Sequence, residues 1–157
     1  MSKQAFQDYY PEELSHCYGC GSNNADGHQL KSYWLDEEEG ETVAYFTPKA
    51  CHTAIPGFVY GGLIASLIDC HGTGSACAAA YRAEGRALGS VPALRFVTGA
   101  LNVNFLAPTP LGVELKLHGK ITEIKERKVI VEITLSASDV VCVSGSVIAV
   151  KMPATME

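Results

Sequence analysis

Residues 50–81 carry a single formal charge, Asp69, set in the middle of the apolar run YGGLIASLIDCHGTGSACAAAY. This run, from about residue 61 to residue 81, is the one long helical candidate in the chain. No helix of that length buries all its sides unaided, but a sheet curled around it does, which predicts two layers with the helix enclosed. Gly72 and Gly74 each cost roughly 1 kcal/mol against Ala in a helix interior. They mark either the close approach of a sheet or an early helix end.

The flanking segments supply that sheet. Residues 4–15 mix aromatic and acidic side chains around Pro11 and predict a short surface helix, followed by a glycine-rich turn region from Cys17 to Gly27. Two strands are expected at about 29–35 and 41–46, joined through the acidic turn DEEEG. Beyond the connection RAEGRALGSVPALR the period becomes two. Val103 and Phe105 alternate with asparagines; Val113, Leu115 and Leu117 alternate with polar residues; Val129, Val131, Ile133 and Leu135 repeat the pattern, and a last run spans Val140 to Val150. The expected class is α+β: one long helix and a curved, largely antiparallel sheet of five or six strands.

Composition narrows the function. At 157 residues and 47% apolar content the chain is expected to form one packed domain over 1–157, with residues 1–16 as a short N-terminal extension. A net charge of −5 leaves no basic footprint for nucleic acid. No basic leader with an apolar run opens the sequence, and the uncharged stretch holds too many Gly, Ser, Thr and His residues for a membrane span, so a cytoplasmic protein with mostly reduced cysteines is expected. Cys51, Cys70, Cys77 and Cys142 lie among apolar or small residues, where buried thiols are common.

A carboxylate removed from water must be compensated or used, which makes Asp69 the first candidate for chemistry. A helix beginning at Gly61 and Gly62 would present unpaired backbone N–H groups to an electronegative atom. The order β-β-helix-β4, the segment HTAIPGFVYGGLIASLID and the strand TGALNVNFLAPTP together resemble the hotdog-fold acyl-CoA thioesterases of the phenylacetyl-CoA, or PaaI-like, type. The family motifs correspond to Tyr60-Gly61-Gly62 with Asp69, to Thr98 through Leu101, and to CYGCGSNN from Cys17 to Asn24. Tyr60 stands where the family usually has His, and Ala54 where relatives often have Gly or Asn.

The resemblance implies an acyl-CoA substrate, no cofactor, and a homodimer with shared sites, possibly paired into a tetramer. The residues give the same picture. Gly61 lacks a Cβ, so a thioester carbonyl can approach its amide, and the helix N-terminus would stabilise the developing oxyanion. Asp69 lies eight residues on, roughly 12 Å along an α-helix, too far for one helix to apply both groups to one carbonyl. Two subunits meeting at the site resolve this. Asp69 would act as general base or as nucleophile, with Thr98 orienting the attacking water. Tyr60, Gly62, His52 and Asn24 are the expected substrate contacts, with Arg82, Arg95 and Arg86 as candidates for the CoA phosphates.

Two other classes compete. A hotdog hydratase or dehydratase would want an imidazole beside the carboxylate, but His71 points about 200° around the helix from Asp69. A non-catalytic acyl-CoA or metal-binding module is the third reading. Cys17 and Cys20 have the spacing of half a zinc site, which Cys51-His52 or Cys70-His71 would have to complete; two buried thiols in a tight turn is the alternative.

Overall fold

A computed structural model describes residues 4–156. Its regular elements are β1 (Ser32–Asp36), β2 (Glu41–Phe46), α1 (Gly61–Ala83), β3 (Phe96–Phe105), β4 (Leu115–Ile124), β5 (Lys128–Ala137) and β6 (Val140–Lys151). The strands form one six-stranded sheet in the order β1-β2-β4-β5-β6-β3, every neighbouring pair antiparallel. The sheet curves around α1 in the hotdog arrangement.

The period-two pattern explains the inner face. Val129, Val131, Ile133 and Leu135 of β5 are buried, as are Leu115 and Leu117 of β4 and Val143, Val147 and Ala149 of β6. They pack on Leu63, Leu67 and Ile68 of α1, which are themselves fully buried. Burying a side chain of this kind stabilises by roughly 1.5–3 kcal/mol, so this layer carries much of the fold.

Neither glycine of the helix ends it. A Cβ at Gly72 would stand 2.3 Å from Val147 Cγ2, so this is where α1 lies closest to β6. The helix runs on to Ala83 and stops in a Schellman arrangement. Gly85 has φ of 66°, the Arg86 N–H donates to the Tyr81 carbonyl at 2.9 Å and the Gly85 N–H to that of Arg82 at 2.9 Å. His71 fastens the other side of the helix to the sheet. Its Nδ1 is 2.9 Å from Ser32 Oγ and its Nε2 3.0 Å from Thr42 Oγ1, both inside the core.

Three expectations change. Residues 6–9 and 12–14 are separate 3-10 turns instead of a surface helix. Phe6 and Gln7 are buried because Gln7 caps the entry to β1, accepting the Ser32 N–H at 2.8 Å, while the Phe6 ring meets Trp34 edge-on. Cys51 is exposed, in the short 3-10 turn before α1. The alternation of Val103 and Phe105 marks only a partly buried face: Val103 packs against the core, but β3 is an edge strand, and Leu101, Phe105 and the following Leu106 are 41%, 58% and 61% exposed.

Candidate active site

Asp69 lies in the third turn of α1 and Thr98 near the start of β3. The sheet register brings them together. Thr98 pairs with Ala149 and Ala100 with Ile148, leaving Gly99 as a bulge residue. Bulges re-aim neighbouring side chains, and here the Thr98 hydroxyl donates to Asp69 Oδ1. Burial raises the Asp69 carboxyl above its usual value, the Thr98 hydrogen bond pulls it back, and the negative charge of nearby Cys17 raises it further. The balance is a half-buried carboxylate one of whose oxygens is held, with a proton affinity above that of an ordinary aspartate.

Cys17 and its partners adjoin this carboxylate. Cys17, Cys20 and Cys70 bring their sulfurs within 4.8 Å of one another. The Cys17 and Cys70 sulfurs are 3.9 Å apart, and hydrogen bonding within the trio lowers the Cys17 thiol while it raises those of Cys20 and Cys70. Cys17 is therefore the most acidic thiol of the trio. It is exposed, whereas Cys20 and Cys70 are buried.

The second half of the expected constellation sits at the start of α1. Tyr60 is the N-cap and makes no side-chain cap hydrogen bond, so its ring leaves the first-turn N–H groups uncapped. That ring instead folds over Gly62, where a Cβ would come within 2.5 Å of Tyr60 Cε2. The Phe105 ring lies over Gly61, its Cζ 3.3 Å from where a Cβ would be. Phe58, Gly61, Ile64, Phe105, Leu106 and Thr109 border a largely apolar cavity of about 460 Å³. The Thr109 hydroxyl there is buried without a hydrogen-bond partner among the described residues. Gly61 and Asp69 share one helix, roughly 12 Å apart.

The remaining expected residues do not gather at Asp69. His52 holds the loop before α1: its Nδ1 accepts the Lys49 N–H at 2.9 Å and its carbonyl accepts the Tyr60 N–H at 3.1 Å. Its ring stacks in a cluster with His28 and Phe46, and burial lowers the pKa of both imidazoles. The Asn24 side chain is committed to its own turn, donating to the His16 carbonyl at 3.1 Å and accepting the Asp26 N–H at 3.1 Å. Arg82 is at the far end of α1 beside Glu37. Arg95 pairs with Glu13 at 3.1 Å, and Arg86 is folded back onto Ser90, Pro92 and the Tyr81 ring. No helix among the described residues is long and apolar enough to cross a membrane.

Residues 56–144, which span α1, β3, β4, β5 and the start of β6, match the profile of the thioesterase superfamily. The chain belongs to that family. It is 56% identical to a thioesterase superfamily protein from Shewanella loihica PV-4 of known crystal structure, covering 92% of this chain and 100% of that one with a TM-score of 0.69. It is 32% identical over 106 residues to the mouse (Mus musculus) acyl-coenzyme A thioesterase THEM4. That match takes in 68% of this chain and 40% of the mouse protein, so the chain spans less than half of that relative's length. The PaaI protein of E. coli, from the phenylacetic acid degradation operon, shares the fold at 16% identity, with a TM-score of 0.64 over 80% of this chain and 81% of that one.

Sequence reasoning missed Phe105 and Thr109 beside Gly61, and it missed that Cys70 alone joins Cys17 and Cys20. Phe105 was hidden because an edge strand and a half-buried strand alternate alike. Cys70 had a readable signal: it follows Asp69 directly, on the helix face that the glycine-rich turn has to cover.

Proposed function

We propose that this chain hydrolyses acyl-CoA thioesters to a carboxylic acid and free CoA, with Asp69 as general base. The observation that carries this reading is the Thr98–Asp69 pair: one carboxylate oxygen is held by a hydroxyl and the other is left for a water molecule. Water attacks the thioester carbonyl as Asp69 takes its proton, the oxyanion forms against the Gly61 amide at the uncapped helix start, and collapse expels the CoA thiolate, which is then protonated. Family membership and the likeness to the mouse acyl-coenzyme A thioesterase support the substrate class.

The site is completed by a second copy of the chain. Among the described residues β3 has an unpaired outer edge, and it carries half of the site at each end, Thr98 with Asp69 at one and Phe105 over Gly61 at the other. Antiparallel pairing of β3 with its two-fold copy about the middle of the strand sets the Thr98 end of one strand beside the Phe105 end of the other. The partner's helix start then faces Asp69, and the apolar cavity beside Gly61 is the space for the acyl group. The dimer is the minimal unit of this reading, with a dimer of dimers as a further assembly. A reducing, cytoplasmic setting suits the free cysteines.

A thiol-release assay over short, long and aromatic acyl-CoA thioesters tests the activity. Turnover of at least one of them is expected. A folded protein that releases CoA from none of them contradicts the proposal. Single turnover in ¹⁸O-labelled water separates the routes, since label appearing in the Asp69 carboxylate would mean attack through an anhydride. A hydratase gains no support, because His71 is bound to Ser32 and Thr42 inside the core.

A further inference from the structure

The Sγ atoms of Cys17 and Cys70 are 3.9 Å apart, and with Cys20 all three sulfurs lie within 4.8 Å of one another. A tetrahedral ion bound at about 2.3 Å from each thiolate sets neighbouring sulfurs about 3.8 Å apart. The trio already stands close to that spacing. We propose that Cys17, Cys20 and Cys70 form a three-thiolate binding site for a thiophilic cation, Zn²⁺ foremost, with its fourth position open on the exposed side of Cys17.

The chain around the sulfurs is shaped for this. The turn is closed by the Gly21 N–H donating to the Cys17 carbonyl at 2.7 Å. A Cβ at Gly19 would stand 2.3 Å from Cys70 Sγ, so only glycine lets the turn settle onto the helix with the third sulfur in place. His71 is excluded as a ligand by its hydrogen bonds to Ser32 and Thr42, and Cys51 lies outside the cluster. Three sulfurs and no carboxylate select a soft cation over Mg²⁺ or Ca²⁺. Binding displaces the thiol protons to solvent and ties the N-terminal turn to α1 at the residue after Asp69.

The test is a Co²⁺ titration of the full chain, freshly reduced with a reductant that does not bind metals. Sulfur-to-cobalt charge-transfer absorption together with tetrahedral ligand-field bands should saturate at one ion per chain, Zn²⁺ should displace the colour, and added Zn²⁺ should raise the melting temperature. Cys17→Ser, at the exposed position, should weaken Co²⁺ binding by on the order of 100-fold, as should Cys70→Ser, while Cys51→Ser leaves it unchanged. A folded, reduced wild-type chain without the charge-transfer band overturns the site. So does binding that survives both Cys17→Ser and Cys70→Ser, or a Cys17–Cys20 disulfide whose reduction restores no metal uptake. These readouts are independent of thioester turnover.

Discussion

Burial raises the Asp69 carboxyl while the Thr98 hydroxyl favours its charged form, so the proposed catalytic role of this residue and its effect on stability pull in opposite directions. Because the base must be ionised, the acid limb of the kcat/KM profile should lie above the ordinary carboxylate range. Thr98→Val removes the one interaction that lowers the pKa, so the limb should move to still higher pH, read from kcat/KM against pH. For stability the sign is reversed. A folded-state value above the unfolded one means the folded chain holds more protons between the two, so stability falls as pH rises through that window. Asp69→Asn should therefore lower kcat by roughly 10²-fold or more while leaving the melting temperature at neutral pH equal or higher. Asp69 was legible in the sequence because it is the sole charge of residues 50–81. Its contact with Thr98 was less so, since it depends on a bulge at Gly99 that no local pattern announces.

α1 is held from two sides by unlike means. Toward β6 the contact is steric, and Gly72→Ala places a methyl within 2.3 Å of Val147 Cγ2. Overpacking of this kind costs about 1–3 kcal/mol, to be read from urea unfolding. The same shift should lower turnover by moving Asp69. Toward β1 and β2 the contact is polar: His71 is fully buried, and burial lowers its pKa to about 3. Its folded-state value is below the unfolded one near 6.5, so its contribution is fully present above pH 6.5 and is lost as pH falls toward 3. Urea midpoints measured down that range should drop, and His71→Gln should flatten the drop. The inner strands were readable because half-burial imposes a period of 2 on them, and the helix because enclosure leaves it a long apolar run with a single charge. The N-terminal segment was not, because Gln7 is buried by a hydrogen bond to Ser32 that its polar sequence gives no hint of.

At the scale of the whole molecule, one chain holds both halves of the proposed site but cannot use them together. Gly61 and Asp69 are fixed roughly 12 Å apart by α1 itself, and β3 carries their partners Phe105 and Thr98 at its two ends beside an unpaired edge. A charged residue on that edge, Leu101→Lys, should block pairing of two copies and abolish turnover while the isolated chain stays folded, read by sedimentation and circular dichroism. The most direct measurement mixes two inactive variants, Asp69→Asn and Gly61→Val, after confirming that each folds and that subunits exchange. If the site is shared, mixed dimers assemble one intact site from the two undamaged halves, and thiol release should return to about a quarter of the wild-type rate at equal mixing. A mixture that exchanges subunits and remains inactive would contradict the shared site.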